Sequence, residues 1–150
     1  MSDTPLPASL AEIAEDFRSA SNDLKLQLLL EFSDELPGLP ERYAGHLDQL
    51  ERVDECQSPL FLTVEVADGP SLEDRVVSLF FDAPAEAPTT RGFAGILHAG
   101  LDGLSADEVL ATPAEFTSQL GLQELVSPLR LRGMAAMLGR IKRQIRDQRG

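Results

Sequence analysis

The residue whose type offers the clearest chemistry is Cys56, because it is the only cysteine in the chain. A single thiol cannot form an internal disulfide, and cysteine-based zinc or iron–sulfur sites normally use several thiolates. Two roles remain open, an inert buried thiol and a sulfur nucleophile. Pro59 restricts Ser58 to extended backbone just before an alternating apolar segment. The pattern therefore predicts that Cys56 lies in a loop at the end of a sheet, where reactive side chains are common.

The two histidines give little indication of metal-binding or catalytic chemistry. His46 and His98 lie far apart in the chain, and neither has a second ligand type at metal-binding spacing. His98 falls within a helical apolar pattern, where a surface histidine is ordinary. We therefore predict no metal site and no catalytic histidine.

The composition limits the kind of protein that can carry this thiol. The 150 residues suffice for one domain with a single core, and 43% of them are hydrophobic. The net charge is −12, with 24 acidic and 6 basic residues in 1–126 but 1 acidic and 7 basic residues in 127–150. An acidic body repels phosphate backbones, which argues against nucleic acid as a partner. The basic tail suits an acidic partner or, as we prefer, a solvated helix face with its cations near the C-terminal dipole.

The sequence also lacks the features of a membrane or secreted protein. No apolar run approaches the roughly 20 residues that a membrane span needs. The N-terminus has neither the basic start nor the apolar block of a signal peptide. We therefore expect a soluble, cytoplasmic protein with no membrane partner.

Helices are predicted where apolar residues repeat every three or four positions and where capping residues precede them. The first covers 9–19, with Ser9 and Glu12 as a capping box, and the second covers 22–35, capped by Ser21, Asn22 or Asp23. The second should bury a face made of Leu24, Leu28, Phe32 and Leu36. Later helices open at Thr89 or Thr90, at Ser105 with Glu108, at Thr112 with Glu115, and at Ser127 before Pro128. The last has a core stripe of Leu131, Met134, Leu138, Ile141 and Ile145.

Strands are predicted between these two groups of helices. A short strand over 49–54 leads to Cys56, and period-two patterns mark strands over 60–67 and 75–82. The last two must pair antiparallel, because their link is too short for a crossover helix. Grouped strands and helices predict an α+β fold, with a small antiparallel sheet packed against helices. We expect one domain over 1–150, with residues 1–8 disordered.

Four sequence segments together resemble the SufE family. The segment Glu55-Cys56-Gln57-Ser58 resembles that family's Gly-Cys-Gln-Ser signature, which an apolar strand follows. Leu36–Pro40 is similar to its Leu-Pro-x-Leu-Pro-like segment, and the stretch from Ala85-Glu86-Ala87 to Arg91-Gly92 resembles its Ser-Asp-Ala…Lys-Gly run. Ser127 to Met134, which includes Arg130 and Gly133, resembles its Ser/Thr-Pro-x-Arg-x-x-Gly motif. The resemblance spans about residues 24–146 and implies a SufE/IscU-like fold.

The resemblance implies a function for Cys56. Proteins of this family accept persulfide sulfur from a SufS-type cysteine desulfurase, stimulate that enzyme and pass the sulfur to iron–sulfur cluster assembly, here a SufBCD-like scaffold complex. They bind no cofactor themselves, since the desulfurase carries the pyridoxal phosphate. The chain would then be an accessory protein rather than an independent enzyme, and a monomer or weak homodimer.

The resemblance also assigns supporting residues around the thiol. Gln57 and Ser58 would support the loop or contact the partner, and Glu86 would supply an acidic side chain there. Arg91 occupies the family's basic position, and Gly92 would permit close packing. Arg130 would orient the thiol loop or form a structural ion pair.

The chain departs from the family pattern beside the cysteine. Glu55 stands where the family has glycine, and Asp54 adds a second carboxylate. Both should disfavour the thiolate. We therefore expect Cys56 to need a cation, either Arg130 or one supplied by the desulfurase.

Three other functions are weighed against sulfur transfer. The chain could bind and activate a desulfurase without accepting sulfur. It could be an independent thiol enzyme, but it has no Cys-x-x-Cys motif and its acidic neighbours should raise the thiol pKa. It could hold a cluster only if two copies combined their single thiols.

Overall fold

The structure, a computed structural model that describes residues 6–56 and 58–148, runs from helices to strands and back to helices. The strands are β1 (Glu51–Arg52), β2 (Phe61–Val66) and β3 (Val77–Asp82). The helices are α1 (Ala8–Ser19), α2 (Asn22–Glu35), α3 (Pro88–Leu101), α4 (Ala106–Ala111) and α5 (Pro128–Gln148). The remaining helical turns are of the tighter 3₁₀ type, at Leu47–Gln49, Asp54–Cys56, Leu72–Asp74 and Ala114–Leu120. Disorder is predicted for residues 1–8. Of these, 1–5 lie outside the described residues, whereas Ala8 begins α1.

The three strands form one antiparallel sheet in the order β1-β2-β3. The pairs Phe61↔Asp82 and Val66↔Val77 fix the ends of the hairpin. Because side chains alternate between faces, one face is apolar and packs in the core, with Leu62, Val64, Val77, Leu79 and Phe81 buried. The predicted α+β fold with a small antiparallel sheet is confirmed.

Strand β1 is shorter than the predicted 49–54. Only Glu51 and Arg52 pair with β2, opposite Leu62 and Phe61. The residues on either side turn into 3₁₀ geometry, at Leu47–Gln49 and Asp54–Cys56. The chain therefore leaves the sheet just before the cysteine.

Helix α5 covers the part of the β2 edge that β1 does not reach. The backbone N–H of Val64 donates to Gln144 Oε1 at 2.9 Å, and that of Val66 donates to Gln148 Oε1 at 3.2 Å. Gln148 Nε2 in turn donates to the Val64 carbonyl at 2.7 Å. Side chains thus replace the missing strand, and they fasten α5 alongside the sheet.

Helices α2 and α3 pack closely because α3 presents glycines to α2. A Cβ on Gly92 would lie 2.7 Å from the Leu29 carbonyl oxygen, and one on Gly95 would lie 2.7 Å from the Phe32 carbonyl carbon. This contact decides which face of α2 is buried. The prediction was wrong in part, since Leu24 is 52% exposed. The residues of α2 and its end that are buried are Leu29, Ser33 and Leu36.

Two predicted capping boxes are wrong because the hydroxyls bind elsewhere. Ser9 Oγ donates to the Gly100 carbonyl on α3 at 2.7 Å, and α1 begins one residue earlier, after Pro7. Thr112 Oγ1 donates back to the Glu108 carbonyl at 3.1 Å, so this residue ends α4 instead of opening a helix. The capping hydroxyls that bind as predicted are those of Ser21, Ser105 and Ser127.

Candidate functional site

Cys56 is the last residue of the 3₁₀ turn Asp54–Cys56, which we call the cysteine turn. The turn forms because the Val53 N–H still pairs with the Leu60 carbonyl at 2.9 Å, while the Cys56 N–H donates back to the Val53 carbonyl at 3.2 Å. The turn lies at the end of the sheet, as the sequence predicts. The thiol is buried, however, since Cys56 is only 3% exposed.

Helix α5 closes over the thiol at Gly133. The Cys56 thiol donates to the Gly133 carbonyl, with Sγ and O 3.6 Å apart. A Cβ at position 133 would lie 3.1 Å from Cys56 Cα and 3.4 Å from Sγ. Glycine therefore lets the helix backbone reach the cysteine turn. From the sequence, Gly133 is predicted only as part of a family motif, without this role.

One arginine of α5 binds both sides of the cysteine turn. Arg140 donates to Glu51 Oε2 at 2.7 Å and to the Arg52 carbonyl at 3.0 Å, just before the turn. It also donates to Glu55 Oε1 at 2.6 Å, inside the turn. Arg143 and Gln144 add further bonds to Glu51. These contacts hold the turn against the helix.

Glu51 and Arg140 are not among the residues predicted from the sequence. A usable signal exists, because Arg140 follows Gly133 by seven residues, or two helical turns. The two therefore share a face of α5, and Glu55 is an unusual acid next to the residue that Gly133 contacts. Arg130, the predicted cation, is exposed in the first turn of α5. Within the described residues its side chain makes no hydrogen bond or ion pair, so its role stays a prediction.

Electrostatics keep the buried sulfur protonated. Burial raises the pKa of the Cys56 thiol to about 12, the Glu55 charge raises it too, and the Arg140 charge opposes both. The pKa of Glu51 is lowered, because hydrogen bonds from Arg140 and Gln144 and the charges of Arg143 and Arg140 outweigh the effect of burial. In the closed site the thiol therefore stays neutral, while the Glu51 carboxylate is ionised.

The first testable consequence is that Cys56 reacts slowly with an alkylating reagent. Because the pKa is about 12 and an ordinary cysteine has 9.0, iodoacetamide should alkylate native Cys56 at pH 7.5 at least about a hundredfold more slowly than the urea-unfolded chain. The native rate should also keep rising with pH above 9, where the unfolded rate levels off. Quenched time courses read by mass spectrometry measure both. A native rate that levels off near pH 9 would show an ordinary, exposed thiol.

The other predicted site residues lie in different settings. Ser58 is half-buried beside the cysteine turn, whereas Gln57 lies outside the described residues. Glu86 is exposed in the loop before α3. The roles predicted for these three residues therefore remain predictions.

Arg91 and Gly92 belong to the packing of α3. Arg91 donates to the carbonyls of Ser33 at 2.8 Å, Ala83 at 2.8 Å and Leu36 at 3.2 Å. It thereby ties the end of α2 to the end of β3, while Gly92 admits Leu29. These contacts favour loop support over partner binding for both residues.

Other kinds of site have little to build on in the described part of the chain. It contains no group of three or more His, Cys, Asp or Glu placed to hold a metal ion. Across 6–56 and 58–148, no helix has the length and apolar character to cross a membrane. His46 is exposed, and His98 lies 3.8 Å from Asp102 on the same helix end.

Comparison with known proteins assigns a family to this arrangement. A sequence model described as SufE, Fe-S metabolism associated domain, matches residues 11–145. An uncharacterized SufE-like protein of Mycobacterium tuberculosis is 56% identical over 142 residues, covering 95% of this chain and 94% of that protein. A SufE-like protein of Arabidopsis thaliana, chloroplastic/mitochondrial, is 27% identical over 134 residues, covering 89% of this chain and 33% of its own length. The solution structure of a hypothetical protein from Thermus thermophilus superposes with a TM-score of 0.78 at 39% identity, covering 95% of this chain and 97% of that one.

Proposed function

The chain belongs to the SufE family, whose domain is associated with Fe–S metabolism, and from this premise we propose that Cys56 is its sulfur acceptor. The sulfur comes from the persulfide of a SufS-type cysteine desulfurase, which carries the pyridoxal phosphate and which this chain stimulates. It goes on to iron–sulfur cluster assembly through a SufBCD-like scaffold complex. The reaction takes place in the cytoplasm. The chain itself requires no cofactor for it.

The observation that carries this proposal is the placement of the lone thiol. Cys56 ends a three-residue turn between two paired strands, and α5 covers it with a glycine. The preceding side chain, Glu55, is 49% exposed, so the buried thiol directly follows a surface residue in the chain. A short turn can present such a thiol without unfolding the sheet.

The chemistry follows from thiol–persulfide exchange. The Cys56 thiolate attacks the outer sulfur of the desulfurase persulfide, and a new S–S bond forms as the old one breaks. The electron pair of the broken bond leaves on the desulfurase cysteine, which becomes a thiolate. No net oxidation occurs. Because the chain has one cysteine, no second thiol within it can discharge the product as an internal disulfide.

Burial gives the site two states with different uses. In the closed state the neutral thiol is shielded from oxidants. In the open state, formed with the desulfurase, the sulfur leaves its apolar surroundings and its pKa falls toward the ordinary cysteine value. Sulfur acceptance therefore requires movement of the cysteine turn.

The proposal is tested by the mass of the protein after reaction. Incubation with a SufS-type desulfurase and cysteine should add one sulfur atom to the peptide containing Cys56, and a reducing agent should remove it. Samples without desulfurase should show no gain. If the desulfurase turns over while the mass of this chain stays unchanged, Cys56 is not a sulfur acceptor.

One observation favours a second function. A thiol that is 3% exposed suits a chain that only binds and activates a desulfurase. The two functions differ in their dependence on Cys56, because activation by binding alone does not need the sulfur atom.

A further inference from the structure

The bonds of Arg140 to its two carboxylates are not equivalent. Glu51 is 25% exposed and is also bound by Arg143 and Gln144. Glu55 is 49% exposed, and Arg140 is its only ion-pair or side-chain hydrogen-bond partner among the described residues. The bond to Glu51 is therefore part of a network, whereas the bond to Glu55 stands alone and breaks first if the turn moves.

The Glu55 bond lies directly beside the thiol in the chain. Glu55 and Cys56 are consecutive, and both approach α5 at Gly133, where an added Cβ would lie 3.3 Å from the Glu55 carbonyl oxygen. Because the two residues are consecutive, moving the Glu55 backbone away from the helix also moves the Cys56 backbone. Arg140 would stay in place meanwhile, because Glu51 and the Arg52 carbonyl still hold its guanidinium.

We propose that the Glu55–Arg140 ion pair is a latch that holds the cysteine turn closed over the thiol, which makes Arg140 a positioning residue for sulfur acceptance. The relevance to sulfur acceptance rests on the proposed function, but the latch itself is a property of the free chain. Such a latch lets the thiol become accessible without unfolding of the domain, since breaking one exposed ion pair frees the turn while the sheet and α5 stay joined. It also accounts for an acidic residue beside a nucleophile, where the charge alone would oppose reaction.

The latch is tested by the alkylation rate of Cys56 at fixed pH and low salt. Glu55→Gln should raise the rate about fivefold, the effect of losing one partly exposed ion pair. Loss of the Glu55 charge also lowers the thiol pKa directly, so the variant that isolates the latch is Arg140→Gln, whose lost charge would by itself raise the thiol pKa and slow alkylation. Sodium chloride should raise the wild-type rate toward that of Glu55→Gln and leave the rate of Glu55→Gln unchanged, because salt screens the pair. The matched control is Asp54→Asn, which removes the adjacent carboxylate. Asp54 is 82% exposed and pairs only with Arg52 within the described residues, so its rate should stay near wild type.

Further variants separate a latch from a general loss of structure. Arg140→Gln should also raise the rate, and Glu55→Gln combined with Arg140→Gln should add nothing beyond the larger single effect. Urea unfolding must show that Glu55→Gln leaves global stability nearly unchanged. Equal rates for wild type and Glu55→Gln, a slower rate for Arg140→Gln, an equal effect of Asp54→Asn, or a parallel fall in global stability would each overturn the latch.

These measurements use the free chain and a small reagent, so they are independent of sulfur transfer. If Glu55→Gln accelerates alkylation but Cys56 never gains sulfur from a desulfurase, the latch stands and the proposed function fails. If Cys56 gains sulfur but Glu55→Gln alkylates like wild type, the proposed function stands and the latch fails.

Discussion

Replacing Cys56 by serine should abolish sulfur uptake and the sulfur-dependent stimulation of a cysteine desulfurase. A hydroxyl cannot take the outer sulfur of a persulfide, because it is far less acidic and forms no S–S bond. Serine should fit the site, since its hydroxyl can donate to the Gly133 carbonyl as the thiol does. We expect sulfur incorporation to fall to background and turnover of the desulfurase to fall to its rate without this chain. Both are measured with labelled cysteine and by alanine formation.

A second variant guards against a folding effect. Cys56→Ala also removes the sulfur but places no hydroxyl in the buried site, so agreement between the two variants assigns the loss to the sulfur. Urea unfolding of each shows how much folded protein is present. Full stimulation of the desulfurase by either variant would contradict sulfur transfer and support activation by binding alone.

Replacing Gly95 by alanine should be among the most destabilising single changes in this fold. An added Cβ would lie 2.7 Å from the Phe32 carbonyl carbon, and closer still to its oxygen. Backbone cannot swing aside as a flexible side chain can, so α2 and α3 must separate. We expect a loss of about 3 kcal/mol in the free energy of unfolding, at the upper end for overpacked sites. Urea titration followed by circular dichroism measures it.

The matched control for this change is Gly139→Ala on α5. Gly139 is also inside a helix, but an added Cβ there meets nothing within 4 Å. Alanine should therefore stabilise the chain by about 0.5–1 kcal/mol, the helix preference of alanine over glycine. A similar destabilisation at both positions would show that the spacing of α2 and α3 is not the cause.

The fold could be predicted where short-range patterns determine the structure. The β2–β3 hairpin follows from period-two apolar residues on both sides of a short link. The Ser105 capping box follows from residues three positions apart. The capping box predicted at Ser9 fails, because a carbonyl 91 residues away competes for its hydroxyl. The buried face of α2 likewise depends on glycines of α3 that no pattern in α2 contains.

The candidate site likewise has features that short-range patterns predict and features that they do not. The turn around Cys56 could be predicted from Pro59 and the neighbouring strands, and the effect of Glu55 on the thiol from its charge. The burial of the sulfur could not, because Gly133 covers it from 77 residues away. Nor could the latch, since Glu55 and Arg140 are 85 residues apart and meet only when α5 lies along the sheet.

The two glutamines that bind β2 have a consequence for self-association. Gln144 and Gln148 occupy the Val64 and Val66 backbone groups that a neighbouring strand would otherwise use. An uncovered edge of this kind is a template on which another copy can add a strand, the usual start of fibrous aggregates. The last turns of α5 therefore protect this strand edge from self-association, and truncating the chain before Gln144 would expose the Val64 and Val66 backbone groups to pairing with another copy.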